Sequence, residues 1–206
     1  MPHLYYIHDP MCSWCWGFRP VLQALMAGLP NTISSSYLLG GLAADTSQPM
    51  PDEMQTRLQV TWREIEKRIP TARFNFDFWT RNTPRRATYP ACRAVIAART
   101  MDPETEQPMT LAIQQAYYLQ ARNPSDDTTL IALATKIGLD KQQFTQLLKH
   151  HSTQQILESE IGQVQRMGVR SFPTLVLQHE KSHWPVAIDY LNVKPMLTLI
   201  QDILVD

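Results

Sequence analysis

Cys12 and Cys15 stand three apart in Asp9-Pro10-Met11-Cys12-Ser13-Trp14-Cys15-Trp16-Gly17-Phe18, and the chain has one further cysteine, Cys92. With three cysteines placed at random, some pair takes this spacing in roughly a few per cent of such chains. Three chemistries fit the pair. It can close a strained small-ring disulfide that forms and breaks, supply two of the four ligands zinc wants, or be two small apolar residues in a core. The redox option has a physical basis if a helix begins here, because a helix N-terminus carries partial positive charge and unpaired N–H groups that stabilise a thiolate. Cys12 is then the nucleophile. Cys15, on the same stripe as Phe18 and Leu22, is the more buried, resolving thiol.

The metal option needs two more ligands. No second Cys-x-x-Cys exists, and candidates such as His3, His8 and Cys92 lie in elements whose side-chain directions the sequence does not fix, so no metal is expected. Trp14, between the cysteines at a helix start, is expected to be partly exposed and to form an apolar rim where a peptide could dock. Cys92 is in phase with Val95 and Ile96 and reads as core. His150-His151 reads as the solvated end of a helix, where a cation suits the dipole.

The elements that must position the pair follow from periodicity. Residues 3 to 8 are aromatic and β-branched and end at Asp9-Pro10, which predicts a strand. Phe18, Leu22, Leu25, Met26 and Leu29 recur at helical spacing across Pro20, predicting a kinked helix from near Ser13 to about Gly28. Ile33 to Leu39 reads as a second strand ended by Gly40-Gly41, and a helix between the two strands implies that they are parallel. Met54, Leu58, Trp62, Ile65 and Ile69 form a helical stripe stopped by Pro70. No period is visible from there to Arg86. Helices are predicted over 90–100, about 109–121 and from Asp127 to Gly138. Two more are expected behind the capping-box patterns Asp140/Gln143 and Ser152/Gln155, the second ending at Gly168. Thr174–Leu177 and Trp184–Ala187 then read as a hairpin around 178–182, and Asn192 caps a last helix. The order is βαβ, a helical block, then ββα.

Composition narrows the function classes. Over 206 residues, 44% hydrophobic content supplies a core, and 19 basic against 19 acidic residues leave no net charge to attract a phosphate backbone or an anionic membrane. No nucleic-acid or membrane partner is expected. The N-terminus lacks the basic region and apolar run of a signal peptide, so a cytoplasmic location is expected, where so few cysteines argue against a structural disulfide framework.

The strand leading to a Cys-x-x-Cys helix, together with Gly168-Val169-Arg170-Ser171-Phe172-Pro173-Thr174 leading into a later strand, resembles the thioredoxin fold. The helical insertion makes the whole chain similar to its DsbA-like branch, which also holds 2-hydroxychromene-2-carboxylate isomerases and kappa-class glutathione transferases. The resemblance implies an α/β thioredoxin fold, βαβ…ββα, with residues 1–45 and 152–206 forming the thioredoxin-like domain and 46–151 an inserted all-helical domain. It implies catalysis by Cys12 and Cys15, with Ser13, Trp14, Phe172 and Pro173 binding substrate. Pro173 would be cis and face Cys12, leaving the Phe172 backbone free to pair with an extended peptide.

The departures from the family also matter. Tyr6 stands six residues before Cys12, where relatives often bury an acid, and the nearest carboxylate, Asp9, is expected to be a turn or cap residue, with proton shuttling its minority role. Ser13-Trp14 replaces the Pro-His of strongly oxidising relatives, which implies a more reducing couple. The expected function is a cytoplasmic thiol-disulfide oxidoreductase, a reductase or isomerase, acting on a disulfide-containing protein or a small thiol. No cofactor is expected, apart from glutathione as reductant or co-substrate. The alternative is a glutathione-dependent isomerase or transferase acting on a small molecule. The isomerase and transferase relatives usually carry serine at the position of Cys12, so the complete cysteine pair argues against it.

Overall fold

Alternation along residues 3–8 sends Leu4 and Tyr6 to one side of a strand and Tyr5 and Ile7 to the other, and the computed structural model, which describes residues 1–205, builds its sheet on that strand. β1 (His3–His8) is central, paired in parallel with β2 (Ser34–Leu39) and antiparallel with β3 (Thr174–His179), which pairs antiparallel with β4 (Ser182–Val186). The sheet order is β2-β1-β3-β4. Between β1 and β2 runs α1 (Ser13–Gly28), with Pro20 inside it. The chain closes with α9 (Lys194–Val205), whose first N–H is taken by the Asn192 side chain at 3.1 Å.

One face of the sheet packs on α1 and α9. Leu4, Tyr6, Leu175 and Leu177 meet Phe18, Leu22, Leu25, Met196 and Ile200 in one buried cluster. The other face, Ile7, Leu38 and Val176, is covered by Val164 of α8 (His151–Arg166), with Met167 and Phe172 beside it. Strand periodicity thus makes two cores, one on each side of β1.

The elements between β2 and β3 are helical. α2 (Asp52–Arg68), α4 (Tyr89–Met101), α5 (Glu106–Tyr118), α6 (Asp127–Lys136) and α7 (Lys141–Lys149) share a third core around Trp62, Val95, Ile113, Leu130 and Phe144. α4 is buried from Ala94 to Ala98 on every side, as a helix ringed by α5, α6, α7 and α8 must be. Gly17 allows α1 to approach α2 closely, since a Cβ there would come within 2.7 Å of the Ile69 side chain.

Several boundaries depart from the sequence expectation. α3 (Phe78–Arg81) forms in the stretch without a period, held by Asn75 and Asn82, whose side-chain amides donate to the carbonyls of Leu119 and Ala121. The helix expected over 109–121 runs three residues earlier. The second capping box is displaced as well. His150, not Ser152, caps α8, its Nδ1 accepting the Ser152 N–H, and it also terminates α7. His150 and His151 therefore open a helix as well as closing one. The Asp140 cap does form, its Oδ1 accepting the Gln143 N–H at 2.7 Å.

Candidate active site

Cys12 occupies the N-cap of α1. Its backbone is extended (φ −79°, ψ 115°), and its Sγ accepts the N–H of Cys15 at 3.3 Å, the bond a capping oxygen ordinarily takes. The thiol donates in turn to the carbonyl of Phe172 at 3.4 Å. Cys12 is 6% exposed and Cys15 1%, and both thiols are free. Burial first, and then the adjacent Cys12 sulfur, pushes the Cys15 thiol well above its ordinary value, while the Asp9 backbone pulls it down through a hydrogen bond. A thiol that holds its proton in the resting dithiol and sits one turn below a helix-capping sulfur is placed to act second.

Ser13 is buried as the first residue of α1, and Trp14 is half-buried. The Trp14 ring is partly exposed, as expected. It packs on Tyr190 with centroids 5.1 Å apart, and the Arg68 guanidinium lies 5.6 Å from the Trp14 ring and 5.2 Å from the Tyr190 ring. Burial, followed by the charge that would form at Cys12 and Cys15, raises the Tyr190 phenol, and Arg68 opposes the rise. Tyr190 therefore belongs to the site. Its position after β4 carries no sequence signal.

The Phe172–Pro173 peptide is cis, and Pro173 is buried. The Phe172 ring lies over the end of β2, where Gly40 leaves room for it. A Cβ at Gly40 would fall 2.0 Å from Phe172 Cζ and 2.1 Å from Cε1. Gly40 is also tied to β1 by its N–H, which donates to the His8 carbonyl at 2.8 Å. The Phe172 carbonyl is thus not free, being the acceptor for the Cys12 thiol.

Asp9 corrects the sequence picture most. Its carbonyl accepts the Cys12 N–H at 3.0 Å and its Oδ1 the Met11 N–H at 2.8 Å, a turn as expected. But the side chain is 0% exposed, and Oδ2 takes the Leu42 N–H at 2.8 Å, the Thr88 hydroxyl at 2.6 Å and the Cys92 thiol at 3.6 Å. Burial raises this carboxyl despite four donors that lower it. One residue therefore ties the turn before Cys12 to the loop after β2 and to the start of α4. Cys92 is core, as its phase predicts, but it also touches this carboxyl.

Beside Asp9, His8 is buried with its ring stacked on Tyr6 at 5.0 Å and edge-on to Tyr37 at 6.0 Å. Burial, then Arg99 and Arg19, pushes its pKa down to about 3. Tyr6, in place of a buried acid, is itself raised by burial and then by the two cysteines. His3 pairs with Ser34 and Ser36. Among the described residues, no three His, Cys, Asp or Glu side chains are grouped so as to hold a metal ion.

A helix-capping thiol with a second thiol one turn on, faced by the carbonyl before a buried proline on a four-stranded sheet, defines the thioredoxin-fold thiol-disulfide oxidoreductases as a class. The thioredoxin family model matches residues 5–195, and the chain belongs to that family. A candidate protein disulfide isomerase from Nitrosomonas europaea superposes with a TM-score of 0.87 at 27% identity, covering 98% of this chain and 97% of that one. The cytosolic disulfide reductase DsbM from Pseudomonas aeruginosa shares the fold at a TM-score of 0.78 and 22% identity, covering 98% of each chain, and has also been solved with glutathione. By sequence, the ClpXP adapter protein SpxH of Halalkalibacterium halodurans is 24% identical over 93% of this chain and 68% of its own length. The chain spans 59% of the Bacillus subtilis counterpart. No helix among the described residues is long and apolar enough to cross a membrane.

Proposed function

We propose that this protein is a cytoplasmic thiol-disulfide oxidoreductase working as a reductase or isomerase through Cys12 and Cys15. The observation that carries the reading is the Cys12 sulfur itself. It caps α1, receives the Cys15 N–H and faces the Phe172 carbonyl. In the reaction, Cys12 thiolate attacks one sulfur of a substrate disulfide, the substrate S–S bond breaks, and a mixed disulfide forms as the other substrate thiolate leaves. Cys15, losing its proton, then attacks the Cys12 sulfur. The Cys12–Cys15 disulfide forms and the second substrate thiol is released, two electrons having passed to substrate. A small thiol such as glutathione resets the pair by the reverse exchange. Helix-terminal stabilisation without a histidine between the cysteines favours a reducing couple, and the likeness to a cytosolic reductase supports the compartment.

The test uses the two serine variants. Cys12→Ser abolishes disulfide exchange, and Cys15→Ser accumulates mixed disulfides that appear as mass adducts. Turnover retained in Cys12→Ser would overturn the assignment. The rival, a glutathione-dependent isomerase or transferase in which Cys12 or Ser13 activates glutathione, predicts tight glutathione binding with negligible disulfide turnover, so the two quantities measured side by side separate them. Relatives named as ClpXP adapters favour a second reading, binding of a partner protein. That reading predicts partner binding unaffected by Cys12→Ser.

A further inference from the structure

Arg68 is the last residue of α2, so its charge suits the helix C-terminus. The chemistry just proposed gives it no part, yet it lies against Trp14, one of the two residues between the cysteines. Its guanidinium is within 5.6 Å of the Trp14 ring centroid and 5.2 Å of that of Tyr190, and those two rings pack on each other. Tyr190 in turn packs edge-on to Phe18 of α1, with centroids 5.7 Å apart. The cation is therefore braced by side chains from α1 and from the segment after β4.

Arg68 is exposed, and no carboxylate among the described residues forms an ion pair with it. Asp189 is the acid that feels its charge, but Asp189 Oδ1 is engaged by the N–H groups of Leu191 at 2.8 Å and Asn192 at 3.0 Å. A guanidinium stacked on aromatic faces keeps its N–H edge for a planar anion, and a carboxylate fits that edge with two parallel hydrogen bonds.

We infer that Arg68, held against Trp14 and Tyr190, is a carboxylate-recognition residue that selects glutathione, as the disulfide or the thiol, for exchange at Cys12. The assignment rests on the redox reading of Cys12 and gives it a substrate class. Glutathione carries two carboxylates, a tripeptide spans about 10 Å when extended, and Arg68 lies on Trp14, two residues along the chain from Cys12. In the exchange, Cys12 thiolate attacks glutathione disulfide, the glutathione S–S bond breaks, one glutathione thiolate departs, and the other remains bonded to Cys12. Arg68 holds a carboxylate of the attached glutathione until Cys15 displaces it as thiolate. The same contacts serve the reverse direction, in which two glutathiones reduce the Cys12–Cys15 disulfide.

The experiment compares second-order rate constants for oxidation of the pre-reduced full chain by three disulfides, which are glutathione disulfide, the neutral hydroxyethyl disulfide and the cationic cystamine. Arg68→Gln should slow glutathione disulfide about tenfold, the worth of a charge-assisted hydrogen bond. It should leave hydroxyethyl disulfide within about twofold and cystamine unchanged or faster, and Arg68→Lys should fall between Arg68→Gln and the native protein. An equal effect on all three, or none on glutathione disulfide, overturns the assignment. Calorimetric binding of S-methylglutathione, which cannot exchange, reads Arg68 independently of turnover. Binding about tenfold weaker in Arg68→Gln supports the assignment, and equal binding overturns it. If the native protein reacts with none of the disulfides yet loses S-methylglutathione on Arg68→Gln, the redox reading fails and the recognition site stands.

Discussion

A buried carboxylate with four donors is an expensive object, and Asp9 shows what it does. Its side chain satisfies the N–H groups of Met11 and Leu42 and the hydroxyl of Thr88, and of these residues Met11 and Thr88 are buried. Removing the acceptor strands them, at about 1–3 kcal/mol for each buried group left unpaired. Asp9→Ala should therefore lower the free energy of unfolding by about 3 kcal/mol or more in urea titrations. Asp9→Asn, which keeps an acceptor oxygen and the shape, should lose less than half as much. Equal losses would mean that the carboxylate is not the organising group. Cys92 contributes less, because its thiol is a weak donor and sits in an apolar helix face that already explains its burial.

At the scale of elements, the end of β2 and the loop before β3 are joined by one ring over one glycine. Gly40 has no positive φ to excuse it, so its requirement is purely spatial. Gly40→Ala must displace Phe172, whose carbonyl accepts the Cys12 thiol, and overpacking of this kind costs about 1–3 kcal/mol. We expect the substitution to slow thiol exchange at Cys12 as well as destabilise the fold, and Phe172→Ala in the same chain to restore most of the stability. A double-mutant cycle should give a coupling of about 1 kcal/mol or more, and additive effects would refute the contact. This pair also marks the limit of what the sequence makes legible. β1, α1, α2, α4 and the hairpin follow from period and punctuation, and the cysteine spacing with Pro173 picks out the centre of the site. α3 does not follow, because it is held by amide bonds from Asn75 and Asn82 to residues some forty positions away. Gly40, Arg68 and Tyr190 are invisible for the same reason. Each acquires its role from a neighbour distant in the chain, and nothing local distinguishes it from a turn glycine, a helix-end cation or a loop tyrosine.

For the molecule as a whole, the titration of buried groups sets how stability depends on pH. His8 stays neutral in the folded protein down to about 3, whereas an unfolded imidazole takes its proton near 6.5. The unfolded chain therefore binds more protons in that interval. The stability His8 contributes is present above pH 6.5 and is lost as the pH falls through the interval, by up to about 1.4 kcal/mol per pH unit. Asp9 and Glu160 act in the opposite sense. Burial raises both carboxyls in the folded state, so the stability they contribute is lost as the pH rises through their folded values. The groups facing His8 are the rings of Tyr6 and Tyr37 and the charges of Arg99 and Arg19, and none offers it a carboxylate. Between pH 7 and pH 5, His8→Phe should remove about 2 kcal/mol of acid-side loss, seen as a flatter dependence of the urea midpoint than in the native protein.

The ring over Gly40 also constrains how this protein can change over generations. Any single-base change in a glycine codon that alters the residue adds a Cβ, so position 40 has no small step available while phenylalanine stands at 172. The reverse order is open. A smaller side chain at 172 frees position 40, and only then can the end of β2 be rebuilt. In a library of paired substitutions, survivors at position 40 should therefore appear almost entirely on backgrounds where residue 172 has already shrunk.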